Sequence, residues 1–255
     1  MLSQSEIADF HQRGWIVPDY RVPAELLANA QDLTTRLLAE RPEYADLYPD
    51  LLRAEPRFCA IGVEPELLSI LSQLMGEDIV LWTGSVFGKP AGQGKATPWH
   101  QDGEYWPIRP LETLTAWVAL DHSTPSNGCL SVVEGSHKPR KLFAHHRNDD
   151  QNITLNQEVD EEGMSAGAVR DIVLEPGQVS IHDVYLVHGS NANTSATRRA
   201  GITYRYMPAA SHFDRSLAQR LHDDLGVTNL ADREIYLVHG NATDNRNSFT
   251  SLPRI

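Results

Sequence analysis

The chain has 255 residues, 22 Lys and Arg against 34 Asp and Glu, and a formal net charge of −12. Its length can bury one sizeable core, and 41% hydrophobic with 22% charged residues is the composition of an ordinary folded domain. The charge balance argues against nucleic acid or an anionic membrane as partner, and no apolar run approaches the roughly 18 residues of a membrane span. Met1-Leu-Ser-Gln-Ser-Glu6 has neither the basic nor the apolar region of a secretory signal. Two cysteines, Cys59 and Cys129, are too few for a disulfide scaffold and predict a reducing, cytoplasmic setting.

In chain order, Ser3-x-x-Glu6 reads as a capping box opening a short amphipathic helix through Ile7, Phe10 and His11, closed by Gly14. Pro23 begins a second helix, with Leu26, Leu27, Ala30, Leu33, Leu37 and Leu38 on one side. A third is predicted over Pro65–Met75, ended by Gly76. From Ile79 the period changes to that of strands. Ile79–Phe87, Thr113–Leu120, Leu130–Val133, Asp171–Leu174, Val179–Ile181 and Arg199–Tyr206 are predicted strands, with turns at Pro125-Ser-Asn-Gly128 and Glu175-Pro-Gly-Gln178. The glycines of Lys89–Lys95 lack a phosphate-binding signature, so this reads as a mobile mouth loop. Phe143–Arg170 has no clear period and predicts a lid or a disordered segment.

Chemistry concentrates in Thr97-Pro-Trp-His-Gln-Asp-Gly103. In extended backbone, residues i and i+2 share a face, so His100 and Asp102 converge on one point. They supply two-thirds of a 2-His-1-carboxylate triad, the signature of a non-haem Fe(II) oxygenase. Two further H-x-D pairs, His212/Asp214 and His222/Asp224, lie in Ser211–Leu225, whose apolar residues recur at helical spacing. There i and i+2 diverge, and both pairs read as decoys. His188, after an alternating apolar run and expected to end a strand, is the candidate third ligand. His239 sits in a second copy of the same Tyr-Leu-Val-His-Gly string. Arg199 follows His188 by eleven residues, and no arginine stands at that offset from His239.

His-Gln-Asp102, Thr115-Ala-Trp-Val-Ala-Leu-Asp121, Asn127-Gly-Cys-Leu-Ser-Val-Val-Glu-Gly-Ser-His137 and His188-Gly-Ser-Asn, followed by Arg198-Arg199, together resemble the phytanoyl-CoA dioxygenase family. The resemblance runs from about Ile79 to Tyr206. It implies a mainly β fold with flanking helices, a double-stranded β-helix (jelly-roll, cupin-like) barrel. It also implies one domain over 1–255, with 1–78 as helical buttress, 79–206 as barrel core and 207–255 as a helical and irregular tail. The implied activity is Fe(II)- and 2-oxoglutarate-dependent hydroxylation of an unactivated C–H bond of a small-molecule substrate by O2, giving succinate and CO2. His100, Asp102 and His188 would hold the iron, and Arg199 the distal carboxylate of 2-oxoglutarate. Ser190, Gln101 and Trp117 match positions lining the cosubstrate pocket. Related halogenases carry a small residue at the position of Asp102, so its presence favours oxygenation. Arg198 is expected on the opposite, solvated strand face, His182 in a neighbouring turn, and His137 in a structural or rim position. Arg109, Arg140, Lys141 and Arg205 are candidates to hold an anionic group. The competing readings are a redox-neutral cupin-like enzyme holding Zn(II) or Mn(II), which would not need Arg199, and a non-catalytic small-molecule-binding barrel.

Overall fold

The computed structural model describes residues 1–242 and 245–253. Its helical part comprises α1 (Gln4–Arg13), α2 (Ala24–Glu40), the single turns α3 (Leu51–Ala54) and α4 (Cys59–Gly62), and α5 (Pro65–Met75). The capping box forms: the Glu6 amide donates to Ser3 Oγ at 3.3 Å and the Ser3 amide to Glu6 Oε2 at 2.7 Å. Gly14 closes α1 at φ 84°, a left-handed conformation that favours glycine. The same stretch contributes two short strands, β1 (Trp15–Ile16) and β2 (Leu47–Tyr48), so it is woven into the sheet as well as packed on it.

The remaining strands are β3 (Ile79–Lys89), β4 (Thr97–His100), β5 (Ile108–Arg109), β6 (Leu114–Ala119), β7 (Leu130–Val133), β8 (His145–Arg147), β9 (Gln157–Val159), β10 (Val169–Ile172), β11 (Val179–Asp183), β12 (His188–Ser190), β13 (Arg199–Pro208), β14 (His212–Phe213) and β15 (Tyr236–His239). Two helices interrupt them, α6 (Glu161–Met164) and α7 (Arg215–Leu225). The large sheet runs β1-β11-β6-β13-β3-β15, with β2 also on β3, and the small sheet runs β10-β7-β12-β4. Among the described residues, the strands of both sheets pair antiparallel. Trp117 and Ala119 of the large sheet pack on Leu130 and Val132 of the small one, so the two face each other in the double-stranded β-helix arrangement. No single described helix is long and apolar enough to cross a membrane.

Alternation along β13 assigns its residues to two environments. Tyr204 and Tyr206 point outward, and their hydroxyls donate to Phe58 O (2.8 Å) and Gly62 O (2.9 Å), tying the helical layer to the sheet. Each such buried hydrogen bond contributes about 1 kcal/mol beyond the burial of the ring. Arg199, Thr203 and Arg205 take the inner face, towards the small sheet.

Three expectations need correction. Phe143–Arg170 is structured: β8 and β9 form a ribbon, and β10 joins the small sheet. The ribbon is docked by a hydrogen bond from the Gln101 amide to His145 Nε2 at 3.1 Å, a long-range contact that no local period encodes. His212 lies on β14 and Asp214 caps α7, so that pair is separated by a strand–helix boundary rather than by helical divergence. Finally, β11 extends through Asp183, which puts His182 on a strand.

Candidate metal centre

Register builds this site. His188 opens β12 rather than ending the preceding strand, and its Cα partner across the ladder is His100 at the end of β4. The two imidazole centroids are 4.2 Å apart. Asp102 lies just beyond β4, at the first position of a 3-10 turn, and its Oδ1 stands 3.7 Å from His100 Nε2. One donor atom from each of His100, Asp102 and His188 falls within 4.8 Å of the others, and all three side chains are buried. His239 is far from this point: β15 pairs on the opposite edge of the large sheet, and its Nδ1 bonds Glu77 O at 2.6 Å.

The charge states suit a divalent cation. His100 Nδ1 lies 2.8 Å from Pro98 O and His188 Nδ1 2.9 Å from Leu186 O. A carbonyl only accepts, so each Nδ1 carries a proton and Nε2 is the nitrogen available to a cation. Burial, reinforced by His100, holds His188 well below its ordinary pKa and therefore neutral. Burial would raise the Asp102 carboxyl, yet contacts with His100 and His182 and the nearby Arg205 charge outweigh it, and it sits well below the usual carboxylate range. Thr115 Oγ1 donates to its Oδ2 at 3.2 Å. Two imidazoles and a carboxylate, with no thiol among them, fit Fe(II) and leave a coordination face open.

Across the large sheet, Thr83, Arg205, Thr115 and His182 occupy successive positions of one in-register row on β3, β13, β6 and β11. A second row holds Ser85, Thr203, Trp117 and Ser180. These polar rows form the floor of the site. His182 is therefore beside the centre, with its ring 4.7 Å from that of His188 and its Nε2 3.7 Å from Asp102 Oδ2. Both of its ring nitrogens lack a hydrogen-bond partner. The signal for it was Ser180-x-His182, two polar side chains alternating with the apolar Val179 and Ile181.

Behind the triad, a narrow pocket of about 40 Å³ extends past Ser190, Trp117 and Thr203 to Arg199. Arg199 is 3% exposed, donates from Nε to Gly128 O at 3.0 Å, and has its guanidinium carbon 5.2 Å from the Trp117 ring centroid. Burial lowers its pKa to about 10. Arg140, Arg198 and Arg233 each have a carboxylate partner, Asp183, Asp121 and Asp50, whereas Arg199 has none among the described residues. Arg198 is thus ion-paired, not simply solvated, because its own strand face meets Asp121. Gly201 makes room for the tryptophan: a Cβ there would lie 2.1 Å from Trp117 Cζ2. Gln101 is not brought to this pocket. Its amide donates to Lys141 O and Tyr185 O and accepts from the Phe143 amide, which pins the following loop. His137 bonds His11 O at 3.1 Å, away from the centre.

In front of the triad lies a larger cavity of about 410 Å³, which shares Phe87, His100, Asp102 and Arg205 with the narrow pocket. Its walls come from Trp82 and Trp106, from 148–156 between β8 and β9, and from 226–233 after α7.

A double-stranded β-helix carrying a buried His-Asp-His face between two cavities defines the class of cupin-like mononuclear metal proteins. Residues 5–201 match the family model of phytanoyl-CoA dioxygenase, and the chain belongs to that family. It is 29% identical over 161 residues to the peroxisomal phytanoyl-CoA dioxygenase of Bos taurus, covering 62% of this chain and 47% of that one. The chain thus spans about half the length of that relative. It is 26% identical over 243 residues to the ectoine dioxygenase of Sphingopyxis alaskensis, covering 84% and 78%. The nogalamycin epimerase SnoN, solved in complex with Fe3+ and alpha ketoglutarate, superposes with a TM-score of 0.70 at 20% identity over 88% of this chain and 91% of that one, a likeness of fold.

Proposed function

We propose that the protein is an Fe(II)- and 2-oxoglutarate-dependent dioxygenase that hydroxylates an unactivated C–H bond of a small molecule and releases succinate and CO2. One observation carries the reading: the buried triad stands at the head of a narrow pocket whose far end holds a buried guanidinium with no acidic partner among the described residues. Such an end suits the distal carboxylate of a short dicarboxylic acid.

His100, Asp102 and His188 would hold Fe(II), which when bound would activate O2, the oxidant, with 2-oxoglutarate as co-reductant, for attack on the C–H bond. The chain's own residues do the rest. Carbonyls of Pro98 and Leu186 fix the two imidazoles as acceptors, Thr115 steadies the carboxylate, and Arg199, with Ser190 and Trp117, orients the cosubstrate. Trp82, Trp106 and the 148–156 and 226–233 walls exclude water from the face where the substrate would sit. Cys59 and Cys129 are both buried and unpaired, which suits a reducing compartment, and we place the enzyme in the cytoplasm.

Anaerobic titration of the apo protein with Fe(II) and 2-oxoglutarate tests the reading through the weak visible absorption of an iron-chelated 2-oxo acid. The band is expected in wild type and His239→Ala and absent in His188→Ala. No band in wild type despite bound iron sinks the proposal and promotes a redox-neutral metalloenzyme.

A further inference from the structure

Four basic residues could in principle hold an anionic substrate, and the fold disposes of three. Arg109 donates to the carbonyls of Trp106 and Ile108, Arg140 pairs with Asp183, and Lys141 pairs with Glu162. Arg205 differs from all of them. Its side chain is 8% exposed and lines the large cavity beside His100 and Asp102. Among the described residues it makes one hydrogen bond, from Nη1 to Ser85 Oγ at 3.1 Å, and its Nε is buried without a hydrogen-bond partner. No carboxylate lies within ion-pair distance of it among the described residues, and Asp102 acts on it only from farther off, whereas Arg233 in the same cavity wall is neutralised by Asp50. The guanidinium is clamped between aromatic rings, its carbon 5.3 Å from the Trp106 centroid and 5.9 Å from that of Phe87. A buried, aromatic-held cation that lines a cavity, with no hydrogen bond to its second terminal nitrogen Nη2 among the described residues, is suited to an oxyanion.

That oxyanion is distinct from the cosubstrate's distal carboxylate. Arg199 and Arg205 share the inner face of β13 but are six residues apart, roughly 20 Å between their Cα atoms at the rise of a strand, and of the two only Arg205 also lines the large cavity. Arg205 also lies beyond residue 201, where the family match ends, among the parts that shape this cavity.

Resting on the 2-oxoglutarate reading, we infer that Arg205 recognises an anionic group of the primary substrate, so that the substrate class is a small molecule bearing a carboxylate or a phosphonate-type oxyanion. The guanidinium anchors that end in the large cavity beside the triad, leaving a C–H bond of the remainder over the metal face.

The test is anaerobic calorimetry with three probes of similar size: butanoate, propylphosphonate and the uncharged butanamide. Each is titrated into wild-type, Arg205→Met and Arg205→Lys protein, both metal-free and loaded with Fe(II) and 2-oxoglutarate. Wild type is expected to bind at least one anion ten or more times tighter than the amide, and the tighter of the two anions names the oxyanion. Arg205→Met, which keeps an unbranched stem between the rings, should lose that preference, Arg205→Lys should keep part of it, and the affinity of either variant for 2-oxoglutarate should stay within threefold of wild type. Equal binding of anions and amide by wild type, or an undiminished preference in Arg205→Met, overturns the inference. So does a tenfold loss of 2-oxoglutarate affinity in Arg205→Met, which would give the arginine to the cosubstrate. Failure of wild type to form the 2-oxoglutarate complex at all is a separate result: it removes the proposed function, while the metal-free titrations still decide whether Arg205 binds anions.

Discussion

Replacing Arg199 with methionine removes a charge and a fork of donors while keeping an unbranched side chain against Trp117. In the unliganded protein this guanidinium is buried, is bonded to a single carbonyl, that of Gly128, and has its pKa lowered to about 10 by burial. The folded state therefore gains little from it, and an apolar replacement of a buried unpaired charge is neutral or stabilising. Thermal unfolding of the metal-free variant should show a Tm equal to or above that of wild type. Ligand binding should behave in the opposite way. Hydrogen bonds to a charged group contribute about 1.5–3 kcal/mol each, and truncating one side of a buried charged pair costs about 2–5 kcal/mol. A loss of about 3 kcal/mol corresponds to roughly 150-fold in Kd at 1.4 kcal/mol per decade. The assay is the anaerobic iron and 2-oxoglutarate titration, in which the midpoint should move by that factor and the saturating band should keep its height. Arg199→Lys, with a charge but no fork, should fall between. A midpoint within threefold of wild type would refute the assignment of the distal carboxylate to Arg199. A Tm fall above 10 °C would refute the claim that the residue is dispensable for folding.

Other consequences are open to measurement. Gly201→Val should drive Trp117 off the Arg199 guanidinium, because a Cβ at that position already falls 2.1 Å from the ring. It should weaken 2-oxoglutarate binding and lower stability by about 1–3 kcal/mol in urea denaturation, the usual range for overpacking. Tyr204→Phe should lose about 1 kcal/mol of stability and leave iron binding unchanged, since its hydroxyl serves only Phe58 O on the outer face. Lys89, register partner of Arg199, is lowered to about 7 by burial and then by the Arg199 charge. Between that value and the 10.5 of an exposed lysine, the unfolded chain binds the extra proton, so stability should rise with pH by up to about 1.4 kcal/mol per unit. Urea midpoints from pH 7 to 9 should lose that component of slope in Lys89→Met. An identical slope in the variant would mean that Lys89 is not the group responsible.

The helix ends were written locally. Ser3, Glu6, Gly14 and Pro65 cap and punctuate segments whose hydrogen bonds close within four residues, so no partner from elsewhere is needed to read them. The strand-like runs Ile79–Phe87 and Arg199–Tyr206 were likewise legible as strands, though not their full lengths. The His100-x-Asp102 pair was legible because two residues apart on extended chain is itself a local geometry. What joins residues distant in sequence was decided by register. Only the pairing of β12 with β4 sets His188 opposite His100 and leaves His239, in an identical five-residue string, on another edge. The extension of β11 through Asp183 likewise turned His182 from a turn residue into a neighbour of the triad. Nor could composition separate Arg205 from Arg109, Arg140 and Lys141. All four are plain basic residues in the chain, and they differ only in whether a carbonyl or carboxylate reaches them after folding. A sequence states which charges exist; the tertiary structure decides which of them are left without a partner in a cavity.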